Sequence, residues 1–146
     1  MRGYFNQPER TAGAFVEGWY KTGDIAILDD DGFVVITDRL SRFSKIAGEM
    51  VPHIRVEEAL HAAHKASELV FAVASVPDDK KGEKLVVLHS QEVDVASLRD
   101  GLKQAGLPNL WIPEAAMFVR VPAIPILGSG KLDLANIKKL ARESIK

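Results

Sequence analysis

The sequence of 146 residues contains no cysteine, which excludes disulfides, thiolate metal sites and a cysteine nucleophile and fits a reducing compartment. No apolar run approaches the ~18 residues needed to cross a bilayer. The first residues, Met1-Arg2-Gly3-Tyr4-Phe5-Asn6-Gln7, lack the apolar block of a secretory signal. A large excess of either charge is also missing: the formal net charge is -1, which argues against nucleic acid as a partner. There is no internal repeat, heptad run or low-complexity tract. What is present, 47% hydrophobic and 27% charged residues, is the composition of a globular chain long enough for one domain, or one domain and a piece of another.

The small net charge averages two unlike stretches. Residues 1–38 hold three Lys or Arg against seven Asp or Glu, whereas residues 39–146 hold sixteen against thirteen. A change of sign at a fixed point suggests two units with different partners.

In the first stretch, Pro8–Phe15 reads as a short helix with Asn6 as a cap ahead of Pro8. Ile25-Ala26-Ile27-Leu28 and Phe33-Val34-Val35-Ile36 flank Asp29-Asp30-Asp31-Gly32, a strong hairpin signal. Both runs are almost continuously apolar, so the hairpin is expected to be covered on both faces. In the second stretch, Phe43–Ala47 and Met50–Pro52 suggest another small hairpin around Gly48-Glu49. A helix from about Ile54 to Lys65 follows, with Ile54, Ala59, Leu60 and Ala63 as its inner stripe. Leu69–Ala74, Leu85–Leu88 and Met117–Val121 are strand candidates. Asp94 caps a helix bearing Leu98 and Leu102 that Gly106-Leu107-Pro108 ends. A last helix from about Leu134 turns Leu134, Ile137, Leu140 and Ala141 inward. The order predicts an α+β fold: a small mixed domain with a short hairpin and about three sheet strands with helices, preceded by a β-hairpin tail.

Four features invite a chemical reading. Glycines and a lysine in Gly128-Ser129-Gly130-Lys131 can cradle an anion, or simply make a surface turn. The spacing fits neither a P-loop nor a dinucleotide fingerprint. Thr22-Gly23-Asp24 can present a carboxylate to ligand hydroxyls, or be a plain turn. His61 and His64 have a spacing that metals use, yet no third ligand matches and both are expected on a solvated face, so no metal site is assigned. Ser41, Ser44 and Ser129 lack the context of a nucleophile elbow.

Taken in order, these segments are more specific than any one of them. Gly18-Trp19-Tyr20-Lys21-Thr22-Gly23-Asp24 resembles the G-W-[FY]-x-T-G-D signature of the AMP-forming acyl and aryl ligases, and Gly3–Thr11 resembles the stretch before it. Asp38-Arg39 with Lys45–Val51, Pro77-Asp78 with Gly82-Glu83, and Pro125–Lys131 are similar to later motifs of that superfamily. Lys45–Val51, Leu107–Pro113 and Leu127–Lys131 look most like the acyl-carrier-protein synthetase half of bifunctional 2-acylglycerophosphoethanolamine acyltransferases.

The resemblance implies a two-step reaction. A carboxylate attacks Mg-ATP to give an acyl-adenylate, and a phosphopantetheine thiol, of acyl-carrier protein or coenzyme A, then displaces AMP. Residues 1–38 match the tail of a large N-terminal domain, and 39–146 a C-terminal lid that swings between two poses. Asp24 and Arg39 match residues that bind the nucleotide's ribose, and Lys131 the lysine that bridges the carboxylate and phosphate oxygens. Lys45 and Gly48 match the lid face used in thioester formation. Ser41 stands at the hinge, where the family usually has Asp or Lys.

The implied partners are the N-terminal domain, absent here, a fatty acid, and acyl-carrier protein or coenzyme A. A membrane enters only through an acyltransferase half. The implied location is the cytoplasm, at the inner membrane face where such a half is present. Without the family's phosphate loop and acyl pocket, the chain alone is expected to be inactive. The alternative is a stand-alone, non-catalytic lid-like module that binds a carrier protein or another partner, the basic balance of residues 39–146 favouring an acidic carrier protein.

Overall fold

In the computed structural model, which describes residues 1–145, the chain divides into two units, Met1–Leu40 and Ser41–Lys146. No helix among the described residues is long and apolar enough to cross a membrane.

The first unit is built from local turns. Helix α1 (Pro8–Gly13) begins on the fixed φ of Pro8. Its N-cap is Gln7, without a side-chain bond, rather than Asn6, which instead adopts a positive φ of 51°. A two-residue ladder, β1 (Phe15–Val16) with β2 (Trp19–Tyr20), follows. Then β3 (Asp24–Leu28) pairs antiparallel with β4 (Val34–Arg39), from Asp24 opposite Arg39 to Leu28 opposite Val34. Asp29 closes the turn by accepting the amides of Asp31 and Phe33 through Oδ1. The hairpin is not covered as expected: Leu28, Phe33, Val34 and Ile36 are all more than 60% exposed. Beside it, residues 1–40 form a six-residue helix and a two-residue ladder, and these leave its side chains open.

The second unit is organised by one sheet. β7 (Phe71–Asp78) pairs antiparallel with β8 (Gly82–His89), and β8 pairs in parallel with β9 (Phe118–Arg120). Alternation sends Phe71, Val73, Leu85 and Val87 to one face, and Ala72, Ala74, Val76, Val86 and Leu88 to the other. Both sets are buried, which is why these strands read as continuous apolar runs. Helix α2 (His53–His64), helix α3 (Val95–Gln104) and the hairpin β5 (Phe43–Ile46)–β6 (Glu49–Pro52) cover the first face, through Val56, Leu60, Leu98, Leu102, Ile46 and Val51. Helix α4 (Leu134–Ser144) covers the second through Ile137 and Ala141, with Leu134 and Leu140 partly buried beside them. Asp94 caps α3 by accepting from Ala96 and Ser97, and Asp133 caps α4 by accepting from Asn136. The α+β fold with a three-stranded sheet is the one read from the sequence.

Helix α2 departs from its expected stripe. Its buried residues are His53, Val56, Glu57 and Leu60, while Ala63 is exposed. Two of its inward polar side chains, Glu57 and His61, are there because β7 is an edge strand with amides to satisfy. Glu57 Oε1 accepts the Val73 amide at 2.8 Å, and His61 Nε2 accepts those of Val70 (3.1 Å) and Phe71 (3.3 Å). His61 donates from Nδ1 to the Glu57 carbonyl at 2.8 Å. So His61 and His64 do not lie on a solvated face: both are half-buried, edge-on to the Phe71 ring.

Glu57 gives its other oxygen to Arg42, in an ion pair whose side chains are 10% and 15% exposed. Burial pushes the Glu57 carboxyl above the usual carboxylate range, against the opposing pull of Arg42 and the Val73 amide. Removing one partner of such a pair strands a buried charge, whereas removing both does not. Arg42→Met is therefore expected to cost about 3–5 kcal/mol, and the double variant R42M/E57Q to recover most of it, by urea unfolding.

Gly101 offers a second check. Alanine inside a helix normally gains up to about 1 kcal/mol over glycine. At Gly101, though, an added Cβ would lie 2.6 Å from Ala63 Cβ, in the crossing of α2 and α3. Overpacking should win: Gly101→Ala is expected to destabilise by about 1–2 kcal/mol, and an increase in stability would contradict this packing.

Candidate functional site

In the first unit the ladder sets Asp24 opposite Arg39, and Arg39 Nε reaches Asp24 Oδ1 at 2.9 Å. Gly23, with φ of +76°, supplies the bend that turns Asp24 into β3, and Thr22 Oγ1 accepts the Asp24 amide at 3.1 Å. The pair unites an acceptor carboxylate with a guanidinium whose side chain is 63% exposed. That combination suits a diol, which both donates and accepts. The exposure makes the ion pair itself worth under about 1 kcal/mol, so it adds little to the stability of the hairpin.

Lys45 and Gly48 are brought together on the β5–β6 hairpin. Ile46 pairs with Glu49 across a two-residue turn, Ala47-Gly48, in which both residues have positive φ, 49° and 89°. The hairpin is fixed from three sides. The Lys45 amide donates to Glu83 Oε2 at 2.6 Å, the Ala47 amide to the Lys81 carbonyl at 2.8 Å, and Trp111 Nε1 to Glu49 Oε1 at 2.7 Å. Lys45 and Gly48 themselves stay exposed. Beside them is a cleft floored by Ile46, Leu85, Leu110, Ile112 and Met117, with Lys81, Lys84 and Glu114 at its rim. Sequence reading missed the anchors Trp111, Glu83 and Lys81, because each lies more than thirty positions from its partner.

Lys131 is apart from that hairpin. The Leu127 amide donates to the Lys131 carbonyl (2.7 Å) and the Gly130 amide to the Leu127 carbonyl (2.8 Å), forming a tight turn with Gly130 at φ +80°. An Ile126–Leu132 bridge closes its base. The loop is tied to the second sheet face through Leu132 and Leu134, whereas the Lys45–Gly48 hairpin is tied to the first through Ile46 and Val51. The two lysines thus stand on structures seated against opposite faces of one sheet. Ser41 sits in a single 3₁₀ turn, Leu40–Arg42, where the first unit ends and the second begins. No group of three His, Cys, Asp or Glu side chains among the described residues is placed to hold a metal ion.

The chain is similar to known ligases in sequence and in fold. The chain is 32% identical over 148 residues to a long-chain-fatty-acid–CoA ligase of Thermus thermophilus, covering 99% of this chain and 26% of the relative. It is also 32% identical over 145 residues to long-chain-fatty-acid–CoA ligase FadD13 of Mycobacterium tuberculosis, covering 98% and 27%. Among solved structures, o-succinylbenzoate CoA synthetase from Bacillus subtilis, in complex with an acyl-adenylate intermediate, is 30% identical with a TM-score of 0.70 over 94% of this chain and 28% of that one. ATP-bound MatB from Rhodopseudomonas palustris is 24% identical with a TM-score of 0.74, covering 99% and 29%, and shares the fold. No family model matches.

The homologues are thus ligases and acyl-CoA synthetases of the adenylate-forming superfamily. The fold is that of the C-terminal domain of adenylate-forming enzymes. The chain spans about a quarter of the length of the curated relatives it matches.

The turn beneath Gly48 makes its own prediction. Alanine is a poor residue for a left-handed position, and asparagine or glycine a good one. Ala47→Asn is expected to stabilise the chain by about 0.5–1 kcal/mol, measured by thermal unfolding, and destabilisation would contradict the positive φ at this turn.

Proposed function

We propose that the chain is the C-terminal part of an ATP-dependent, AMP-forming carboxylate ligase, with residues 41–146 acting as its lid. The observation that carries this reading is the seating of the Lys131 loop and the Lys45–Gly48 hairpin against opposite sheet faces. A two-step reaction needs different groups at one site in turn, and a domain with a working surface on each face supplies both by rotating.

In the first step the carboxylate oxygen attacks the α-phosphorus of ATP, which carries Mg2+, and pyrophosphate leaves. Asp24 accepts from the ribose hydroxyls while Arg39, held to it at 2.9 Å, donates to them. Lys131 stabilises negative charge as the phosphorus gains its fifth oxygen. Its exposed position directly after Gly130, which has no Cβ, leaves room on that side for the ammonium to enter a crowded site.

In the second step a thiol attacks the acyl carbonyl and AMP departs. Gly48 lets the backbone approach the phosphopantetheine arm closely, with Lys45 at the same edge. The acceptor thiol is that of coenzyme A or an acyl-carrier protein, and both present the same arm to this hairpin. The acid substrate is a fatty acid. The likeness of Lys45–Val51 and Leu127–Lys131 to one branch supports a carrier-protein thiol within a lysophospholipid acyltransferase at the inner membrane face. Alone, the chain lacks the acyl pocket and phosphate loop and is inactive on this reading.

In the intact enzyme, Lys131→Ala is expected to slow carboxylate-dependent pyrophosphate exchange by about 10²–10³-fold while sparing transfer from preformed acyl-adenylate to the thiol. Lys45→Ala should do the converse. Equal losses in both half-reactions for either variant would overturn its assignment to one step.

A further inference from the structure

The turn that joins the two units is clamped on both sides, leaving one residue between the clamps. On the first side the Leu40 amide donates to the Gly23 carbonyl at 2.8 Å, and Arg39 is laddered and ion-paired with Asp24. Everything through Leu40 is therefore fastened to β3. On the second side the Arg42 guanidinium is held by Glu57 Oε2, and Glu57 Oε1 is bonded to the Val73 amide. That chain of contacts runs from the backbone beside the turn, through α2, to the edge of the central sheet. Between them lies Ser41, exposed and at the centre of a single 3₁₀ turn.

The Arg42–Glu57 pair has features that a purely stabilising contact would not need. A glutamine at position 57 would satisfy the Val73 amide equally well, so the carboxylate charge serves Arg42. Arg42 Nε is buried without a hydrogen-bond partner, so the guanidinium is held where it is imperfectly solvated. Apolar replacements of buried ion pairs often equal or exceed them in stability. The pair gives the second unit a fixed grip on the last residue of the turn.

We propose that Arg42 and Glu57 are positioning residues that confine rotation between the two units to Ser41, so that the second unit moves as one rigid body from Arg42 onward. The proposal rests on the lid reading for its catalytic meaning. A sharp pivot limits the poses that the lid can sample, and a frayed one would spread them.

The pivot can be measured on this chain without any catalysis. Backbone amide residual dipolar couplings are collected in a weakly aligning medium. Leu40 is expected to fit the alignment of residues 1–40, and Arg42 and Phe43 that of the sheet and α2. In R42M/E57Q, the backbone amide at position 42 should lose its fit to the second alignment while Val73 and Leu60 keep theirs, which also reports that the unit is folded. A wild-type Arg42 that follows the first unit or neither would overturn the proposal, as would a single alignment for the whole chain or an unchanged amide at position 42 in the double variant. Should the double variant not fold, the wild-type couplings decide alone.

In the intact enzyme the same double variant is expected to lower kcat for thioester formation with the KM for ATP unchanged. A raised KM with unchanged kcat would assign the pair to nucleotide binding and overturn the positioning role. Loss of the ligase reading would show separately, as absence of pyrophosphate exchange in the unmodified enzyme.

Discussion

The second unit depends on the β7–β8 ladder having two buried faces. Eight residues of each strand pair in register, from Phe71 opposite His89 to Asp78 opposite Gly82. Because successive side chains alternate, a slip of one residue would exchange Phe71 and Val73 with Ala72 and Ala74. Large residues would then meet α4, and alanines would face α2 and α3. The burial of Ala72 and Ala141 in one cluster, and of Phe71 and Leu60 in the other, fixes both the register and the separation of the two faces. The hairpin with Lys45 and the loop with Lys131 inherit their placement from that alternation.

Much of this was legible in the sequence, and what escaped had identifiable causes. Continuous apolar runs at Leu69–Ala74 and Leu85–Leu88 marked strands buried on both sides, and Asp94 marked the start of α3. The strands run further than the apolar residues because Pro77, Asp78, Gly82 and Glu83 continue the ladder into a polar turn. Helix α2 misled because its inner face carries Glu57 and His61, whose partners are the unpaired amides of an edge strand. Hydrophobic periodicity has no sensitivity to such a role. The exposed β3–β4 hairpin is the opposite case: its composition called for burial that residues 1–40 do not supply.

The candidate site was read largely from resemblance, since its residue types are individually commonplace. A Thr-Gly-Asp turn, a lone arginine and two lysines carry no catalytic signal at their spacings. The structure adds that Asp24 and Arg39 meet and that the two lysines are set against opposite faces. It also adds Arg42 and Glu57, fifteen positions apart, each of which looks like an ordinary solvated charge in the sequence. Of the residues that do chemistry in this account, Arg39, Lys45, Gly48 and Lys131 are exposed, while Arg42 and Glu57 are largely buried and ion-paired. Such a division suits a domain that must present two surfaces in turn and stay rigid while doing so.

The central claim is that the two faces alternate at one site. Its most direct test is amine-reactive labelling of the intact ligase, read by mass spectrometry at Lys131 and Lys45. With ATP and a non-reactive analogue of the acid, Lys131 should be protected and Lys45 remain reactive. With a stable acyl-adenylate mimic and the thiol acceptor, the pattern should reverse. Protection of both lysines together, or of neither, under the two conditions would contradict the account.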